Sequence, residues 1–162
     1  CAADGGVLFG YNPLPGELDV LPLLQRWVAR GGRVAVPSPN ALKSHGLGGL
    51  SWNWWDGLGT TGNDGPADLA EAVVVLVPGL VFGRDGSRLG RGAGWYDRAL
   101  ADVRGSALVV GVCHDDEIVH PGLLPVEPHD RPVHALLTPS RFLPIRPLST
   151  SQPPTRFPHQ RR

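Results

Sequence analysis

The sequence predicts a three-layer α/β fold, with a mostly parallel sheet and helices on both of its faces. Short runs rich in Val and Leu recur along the chain between turn-forming residues. Runs that are apolar throughout are typical of strands buried on both faces, which is where parallel sheets place them. Segments with helical spacing lie between these runs, and the alternation of strand and helix favours this fold class.

The elements follow in order along the chain. The predicted strands are the five apolar runs at residues 7–11, 33–37, 72–78, 107–113 and 133–138. A first helix is predicted over residues 21–28, where apolar residues recur at three- and four-residue spacings and Gly31-Gly32 follows as a stop. A second helix is predicted from Tyr96 to about Val103.

Two segments depart from this pattern. Residues 40–68 are rich in Gly, Ser and Asn, contain three Trp and keep no sustained period, so we expect a long excursion or lid. From Pro144 onward the chain is rich in Pro and Arg and has no acidic residue, which is typical of a disordered tail. We therefore expect one domain over residues 1–143 and a tail over 144–162.

The composition narrows the class of protein. A chain of 162 residues with 41% hydrophobic residues can bury a core without disulfides or metal clips, and its two cysteines fit a reducing compartment. No apolar run approaches the roughly 18–20 residues that cross a bilayer, and a net charge of zero disfavours a nucleic-acid partner. We expect a cytoplasmic, monomeric protein that acts on small molecules. Because the sequence contains no Met, Cys1 is not expected to be its natural first residue.

The most informative segment spans residues 78–98, between the most apolar run and the second predicted helix. Glycine at every second position of 90–94 lets backbone amides approach a ligand, and Arg88 and Arg91 add two fork-shaped cations suited to phosphate oxygens. The segment matches neither the GxGxxG nor the P-loop spacing. It predicts a phosphate-binding loop, and a structural glycine-rich turn is the alternative.

Asp97 stands at the start of the second predicted helix, beside these candidates for phosphate binding. A carboxylate in this setting suits a Mg²⁺ ion that bridges phosphates, because Mg²⁺ prefers oxygen ligands and keeps several waters. The alternative is that Asp97 only caps the helix.

The segment RLGRGAGWYDR at 88–98 resembles the 5-formyltetrahydrofolate cyclo-ligase family, also called 5,10-methenyltetrahydrofolate synthetase. Further matching segments occur in the family's order at 11–19, 76–82, 111–119, 125–130 and 136–138. The resemblance covers most of residues 7–143 and implies the NagB/RpiA/CoA transferase-like version of the predicted fold.

This resemblance implies cyclisation of 5-formyltetrahydrofolate to 5,10-methenyltetrahydrofolate, with ATP as co-substrate and Mg²⁺ as the metal. The formyl oxygen attacks the γ-phosphate, N10 then attacks the activated carbon, and ADP and phosphate are released. Such chemistry depends on positioning and on neutralising oxygen charge more than on a nucleophilic side chain. The alternatives are a folate- or nucleotide-binding homologue without full activity, and a small-molecule kinase with another acceptor.

The resemblance also assigns roles to residues. It implies nucleotide binding by Arg88, Leu89, Gly90, Arg91, Gly92, Ala93, Gly94, Trp95 and Tyr96. It implies folate binding by Asn12, Glu17, Arg91, Gly92, Ala93, Gly94 and Trp95. Arg91 and Tyr96 are the catalytic candidates, and Asp97 and Asp130 are the metal ligands.

Several of these residues have simpler interpretations on their own. Glu17 alone would be a solvated loop charge or a first-turn acid of the helix, and Asp130 a surface turn residue. Asn12 stands where the family has an apolar residue. Trp95 offers a flat surface to a ring, whereas Tyr96 alone suggests core packing.

Other conspicuous side chains are expected to be structural. Cys113 lies inside an apolar run and should be an inert buried thiol. His114, His129 and His134 lack the spacing and the cysteines of a zinc site, so solvated or locally hydrogen-bonded histidines are expected.

The sequence departs from the family at three places. The family carries a basic helical segment ahead of the 11–19 motif that helps to bind ATP, and nothing in this sequence corresponds to it. We expect either that the chain lacks its N-terminal helical segment or that its affinity for nucleotide is reduced. Gly83 replaces a common Asp, which should loosen its turn or remove a hydrogen bond. His134 replaces a common acidic residue, which should change the charge around the metal.

Overall fold

The computed structural model describes residues 5–38, 50–55, 57, 61–92 and 94–145. Its strands, in chain order, are β1 (Gly5–Phe9), β2 (Gly32–Pro37), β3 (Trp52–Trp55), β4 (Thr61–Pro66), β5 (Ala72–Pro78), β6 (Val81–Gly83), β7 (Arg88–Leu89), β8 (Leu108–Val112), β9 (Ile118–Val119), β10 (Ala135–Leu137) and β11 (Phe142–Pro144). The α-helices are α1 (Leu21–Ala29) and α2 (Trp95–Ala101), and short 3₁₀ turns occur at Leu69–Glu71 and Asp115–Glu117. Within these described residues, no helix has the length and apolarity needed to span a bilayer.

The main sheet has the strand order β11-β10-β8-β5-β1-β2-β3-β4. Its five central strands, β10, β8, β5, β1 and β2, pair in parallel, whereas β11 at one edge and β3 and β4 at the other pair antiparallel. A small second sheet has the order β7-β6-β9. The predicted α/β class with a mostly parallel sheet is confirmed, and the antiparallel edges were not expected.

The two helices lie on opposite faces of the main sheet. Along β1, Leu8 packs in the same cluster as Leu24 of α1, whereas its neighbour Phe9 packs in the cluster that contains Leu100 of α2. Successive side chains of a strand point to opposite faces, so each cluster is one interface between sheet and helix. This arrangement gives the three layers that the sequence predicts.

Helix α1 is fixed at both ends by local interactions. The Asp19 carboxylate accepts a hydrogen bond from the amide of Leu21 at 2.9 Å, and the chain leaves the helix through Gly31, whose φ of +86° suits glycine. The indole Nε1 of Trp27 donates to the carbonyl of Gly6 at 2.9 Å, which anchors the helix on β1. The predicted first helix and its glycine stop are confirmed.

The prediction of an excursion or lid over residues 40–68 is wrong for the part of this segment that the structure describes. Strands β3 and β4 occupy this region and extend the sheet, and Trp52, Trp54 and Trp55 are all buried. Trp52 makes an edge-to-face contact with Phe9, with ring centroids 5.1 Å apart. The strand showed no alternation because neighbouring indoles are buried on both faces. Residues 40–49, 56 and 58–60 lie outside the described residues.

The folded domain extends slightly beyond its expected end. Strand β11 runs to Pro144, and the amide of Ile145 donates to the carbonyl of His134 at 2.9 Å. Ile145 also packs against the core. Residues 144 and 145, which were expected to belong to the tail, therefore belong to the folded domain, and 146–162 lie outside the described residues.

Candidate functional site

The strand order places a crevice between β1 and β5. From β1 the chain continues to β2 on one side, whereas β5, β8 and β10 follow one another on the other side. Ligands of open α/β sheets bind at such a reversal, outside the carboxyl ends of the strands. The segment that contains Glu17 follows β1, and the glycine-rich segment follows β5, so both approach this crevice.

Glu17 is held by a tight turn after β1. Its amide donates to the carbonyl of Leu14 at 2.9 Å, and its carboxylate Oε2 accepts from the amide of Leu14 at 2.9 Å. The hydroxyl of buried Tyr11 donates to the carbonyl of Leu18 at 3.1 Å and closes the segment. The second carboxylate oxygen, Oε1, lies 3.5 Å from Nε of Arg91. The structure therefore brings together the predicted folate-binding and nucleotide-binding segments.

Burial differs between these two partners. The Glu17 side chain is 11% exposed, whereas that of Arg91 is 53% exposed. Glu17 is thus a fixed group in the wall of the crevice, and the Arg91 guanidinium is open to solvent and to a ligand.

Arg88 and Asp97 form an ion pair at the start of α2. Nη2 of Arg88 donates to Oδ1 of Asp97, and the Arg88 side chain is only 6% exposed. A buried guanidinium requires such a partner, because an unpaired charge in this setting is strongly unfavourable. Within the described residues, Nε of Arg88 is buried without a hydrogen-bond partner.

A cavity of about 270 Å³ opens beside this pair. It is lined by Asp85, Ser87, Arg88, Asp97, Val126, Asp130, Arg131 and Pro132. Both predicted metal ligands, Asp97 and Asp130, therefore face one space although they come from separate segments. Asp130 is held much as Glu17 is, since its Oδ2 accepts from the amide of Glu127 at 2.8 Å while Oδ1 lies 3.8 Å from Nε2 of His129.

The two carboxylates that line this cavity, those of Asp97 and Asp130, fit a hydrated magnesium ion that also binds phosphate. Across the described residues there is no group of three or more His, Cys, Asp or Glu side chains that could enclose a metal. Two carboxylates leave several positions for water and phosphate oxygens, which Mg²⁺ accepts readily. The neighbouring Arg88 cation would disfavour a bare metal ion and favour one accompanied by an anionic ligand.

The glycine-rich segment uses its glycines in two ways. Gly92 and Gly94 have φ values of +89° and +64°, which glycine adopts without the steric penalty of a side chain. A Cβ atom at Gly90 would lie 2.6 Å from Nη1 of Arg88, so this position must be small for the guanidinium to keep its place. Ala93 lies outside the described residues.

The remaining predicted ligand residues differ in their exposure to solvent. Leu89 is exposed on β7 and Asn12 is exposed after β1, whereas Trp95 and Tyr96 are partly buried. Tyr96 packs against the core and makes an edge-to-face contact with Trp52. The core packing expected from its residue type is confirmed.

Burial raises the pKa of the Tyr96 phenol far above its usual value, and repulsion from the Glu17 carboxylate, and from Tyr11 once Tyr11 is itself ionised, adds to this increase. The pKa of the Tyr11 phenol rises for the same main reason, with Glu17 again adding to it. Both hydroxyls therefore remain protonated at neutral pH. Tyr96 is consequently suited to donate a hydrogen bond rather than to accept a proton as a base.

The turn at Gly83 is closed, which contradicts the expected loosening. The amide of Gly83 donates to the carbonyl of Ser87 at 2.8 Å. The Asp85 carboxylate accepts from the Ser87 hydroxyl and, at 2.8 Å, from the amide of Gly122. A Cβ atom at Gly83 would lie 2.3 Å from Oδ1 of Asp85, so Asp85 occupies the space that a side chain at position 83 would need.

Cys113 and His134 take part in the sheet. Cys113 is buried, as expected, and burial raises the pKa of its thiol to about 12. Nδ1 of His134 accepts from the amide of Val109 at 3.0 Å, next to the β8–β10 pairing. His134 does not line the 270 Å³ cavity, so its effect on charge at the metal-binding candidates is indirect.

Sequence reasoning missed three side chains around the crevice and cavity: Tyr11, Asp85 and Arg131. The first two lie within or beside conspicuous motifs, and their turn-forming neighbours could have suggested a local hydrogen bond. Arg131 could not be found in this way, because its partners are in a different segment of the chain.

Comparison with known proteins identifies the family. The model of the 5-formyltetrahydrofolate cyclo-ligase family matches residues 4–139. The chain belongs to this cyclo-ligase family. The expected assignment to an enzyme family is thereby confirmed, on a match that includes the Glu17, glycine-rich and Asp130 segments.

Two curated relatives of the cyclo-ligase family show how far the similarity extends. The 5-formyltetrahydrofolate cyclo-ligase of Mycolicibacterium smegmatis is 48% identical over 151 residues, which cover 85% of this chain and 75% of the relative. The enzyme of the same name from Escherichia coli K12 is 31% identical over 136 residues, which cover 78% of this chain and 74% of the relative.

Two solved structures share the fold of this cyclo-ligase family chain. The 5,10-methenyltetrahydrofolate synthetase of Aquifex aeolicus superposes with a TM-score of 0.66 at 24% identity, covering 93% of this chain and 77% of that one. The synthetase of Mycoplasma pneumoniae superposes with a TM-score of 0.63 at 17% identity, covering 81% and 71%.

Proposed function

We propose that this chain converts 5-formyltetrahydrofolate to 5,10-methenyltetrahydrofolate with the use of ATP and Mg²⁺, releasing ADP and phosphate. The observation that carries the proposal is that Arg88, Asp97 and Asp130 line one cavity beside the glycine-rich segment. The family match supplies the reaction, and the cavity supplies cationic and anionic groups for a metal–nucleotide complex. The fold is of the NagB/RpiA/CoA transferase-like type under this proposal.

The glycine-rich segment binds the triphosphate. Gly92 and Gly94 expose backbone without side chains, and the solvent-facing Arg91 guanidinium contacts phosphate oxygens. In the first step a bond forms between the formyl oxygen and the γ-phosphorus, and the bond from that phosphorus to the bridging oxygen of ADP breaks. Arg91 stabilises charge on the transferring group, as fixed cations do in phosphoryl transfer.

Asp97 and Asp130 would hold the magnesium ion, which would supply neutralisation of the phosphate oxygens when bound. The turn at Glu127 fixes one oxygen of Asp130 and leaves Oδ1 on the side of His129. The ion pair with Arg88 holds Asp97 at the cavity. Both carboxylates are therefore oriented before a ligand arrives.

The folate pterin binds at the crevice between β1 and β5. The Glu17 carboxylate accepts hydrogen bonds from the amino and ring N–H groups of the pterin, a two-point contact that selects rings with adjacent donors. Trp95 offers a partly exposed flat surface, and the protonated Tyr96 hydroxyl donates a hydrogen bond near the reacting carbon. Once the formyl oxygen is phosphorylated, N10 attacks the carbon and releases its proton to solvent, and phosphate leaves with that oxygen.

The test is a direct assay of the purified chain with 5-formyltetrahydrofolate, ATP and Mg²⁺. The long-wavelength absorbance of methenyltetrahydrofolate is followed, and reactions without ATP or with a chelator provide the reagent controls. Product that requires both ATP and metal is the expected result. A chain that binds folate and nucleotide but forms no product would indicate a binding homologue, and phosphate transfer to another acceptor would indicate a kinase.

Two variants connect the assay to the cavity. Asp97→Asn is expected to remove most of the metal-dependent rate, whereas Asp102→Asn changes an exposed carboxylate just beyond α2 and is expected to leave the rate unchanged.

We also propose that the protein is cytoplasmic and monomeric. Size-exclusion chromatography with light scattering checks the oligomeric state.

A further inference from the structure

Arg131 joins the segment that carries Asp130 to helix α2. Its Nη1 donates to the carbonyl of Leu100 at 2.7 Å and to the carbonyl of Val103 at 3.0 Å. The Leu100 carbonyl lies in the last turn of α2, where it also accepts from the amide of Val103 at 3.3 Å, and the Val103 carbonyl lies two residues beyond the helix. A guanidinium is a favourable partner there, because it brings both donors and positive charge to the negative end of the helix.

The same helix carries Asp97 in its first turn. Asp130 immediately precedes Arg131, and all three side chains line the 270 Å³ cavity. Arg131 therefore links one predicted metal ligand to the helix that holds the other.

Few other polar contacts attach the segment that carries Asp130 to the rest of the protein. The amide of Gly122 bonds to Asp85 at one end of the segment, and the amide of Val133 bonds to the carbonyl of Gly86 at the other. Glu127 and Asp130 bond to each other, which shapes the turn without attaching it. Among the hydrogen bonds described for residues 123–132, those that reach the rest of the protein come from the Arg131 guanidinium.

We propose that Arg131 is a positioning residue, which sets the separation of the Asp97 and Asp130 carboxylates by fastening the Asp130 segment to α2. This inference rests on the proposed function, because it assumes that the two carboxylates hold the metal of a metal–nucleotide complex. Arg131 acts through Asp130, and its Nη1 already donates to the carbonyls of Leu100 and Val103.

The experiment measures metal binding separately from nucleotide binding. Mn²⁺ replaces Mg²⁺, and free Mn²⁺ is counted by electron paramagnetic resonance with protein in excess over an ATP analogue that has a non-hydrolysable imido bridge. The Mn²⁺ that the same analogue binds without protein is measured separately and subtracted. Arg131→Ala is expected to raise the Kd for Mn²⁺ by about 10- to 100-fold, the usual effect of removing a residue that orients a metal ligand. Affinity for the analogue in chelator is expected to stay within about twofold.

Two further variants serve as a conservative substitution and as a control for Arg131→Ala. Arg131→Lys keeps the charge and offers a single ammonium to the same carbonyls, so it should recover part of the Mn²⁺ affinity. Arg141→Ala is the matched control, because Arg141 pairs with Asp115 at 3.2 Å away from the cavity lining. If Arg131→Ala does not fold, as judged by circular dichroism, the Kd for Mn²⁺ is compared between Arg131→Lys and wild type, and an unchanged Kd would reject the positioning role.

The outcomes separate the two proposals. No Mn²⁺ binding by the wild-type chain with analogue, or an unchanged Mn²⁺ Kd in Asp97→Asn, would reject the proposed metal site itself. Wild-type binding that is lost in Asp97→Asn but unchanged in Arg131→Ala rejects only the role of Arg131. An equal loss of analogue affinity in chelator would also reject it, because Arg131 would then contact the nucleotide directly.

Discussion

Nε of Arg91 lies 3.5 Å from Oε1 of Glu17, so the segments that follow β1 and β5 meet through a pair of opposite charges. The contact is partly exposed, and such pairs contribute little to stability. Its importance is geometric. It places a carboxylate suited to ring N–H donors directly beside a cation suited to phosphate, at the point where both substrates of the proposed reaction must meet.

Glu17→Gln should weaken folate binding with little loss of stability. The amide oxygen can still accept from the amide of Leu14, but the charge that strengthens hydrogen bonds to the pterin is gone. We expect the KM for 5-formyltetrahydrofolate to rise about tenfold, which corresponds to about 1.4 kcal/mol. Steady-state kinetics measure it, with Glu71→Gln as an exposed control. An unchanged folate KM would place the pterin elsewhere.

Asp97→Asn should reduce stability as well as metal use. Arg88 is almost fully buried and would keep only a neutral partner, so we expect the free energy of unfolding to fall by about 1–3 kcal/mol. Urea denaturation without metal or nucleotide measures this loss. A stability equal to that of Asp102→Asn would show that the Arg88–Asp97 pair does not persist in solution.

Asp85→Asn should remove an acid-dependent part of stability. Burial opposes ionisation of Asp85, but hydrogen bonds from Ser87 and Gly122 outweigh it and hold the pKa of Asp85 below its usual 3.8. A carboxyl whose pKa is lowered by folding stabilises the protein above its unfolded pKa, and this contribution is lost as the pH falls through the folded value. At pH 7 we expect the variant to be about 1 kcal/mol less stable, after allowance for solvent screening.

The measurement for Asp85 is urea denaturation of both proteins between pH 7 and pH 3. Their difference should stay constant above about pH 5 and narrow on acidification below the usual value of 3.8. A difference that is independent of pH would contradict an ionised, hydrogen-bonded Asp85 as its source.

Leu24→Ala should test the attachment of α1 to the sheet. Leu24 is fully buried in the same apolar cluster as Leu8 of β1, whereas Val28 on the same helix is 42% exposed. Truncation of a buried Leu leaves a cavity, and we expect a loss of about 2–5 kcal/mol in the free energy of unfolding. Val28→Ala is the matched control, and thermal or urea denaturation compares them. Equal effects of the two substitutions would mean that α1 is not packed as described.

The sequence was sufficient to predict the parallel centre of the sheet and α1, because buried parallel strands are apolar throughout and α1 has a clear apolar stripe. It was insufficient for β3, where adjacent buried tryptophans conceal the strand period, and for β6, β7 and β9, which are only two or three residues long. Such strands are formed by tertiary pairing, for which a short local segment carries no pattern.

The candidate site divides in a similar way. The resemblance named Glu17, Arg88, Asp97 and Asp130. In the structure Glu17 contacts Arg91 of the glycine-rich segment, and the other three residues line one cavity. The pairing of Arg88 with Asp97 depends on side-chain rotamers at the end of β7, and the contact of Arg131 with α2 joins segments that are distant along the chain. Neither relationship has a signature in residue spacing.

The turns that hold Glu17 and Asp130 have a consequence for the entropy of binding. In each, a carboxylate oxygen accepts from the amide three residues earlier, which restricts the side chain, and the other oxygen lies near Arg91 in the case of Glu17 and near His129 in the case of Asp130. Immobilising a flexible side chain on association costs about 0.5–1.5 kcal/mol. Here that ordering is complete when the chain has folded, so the arrival of a ligand restricts the motion of the ligand far more than that of these two residues.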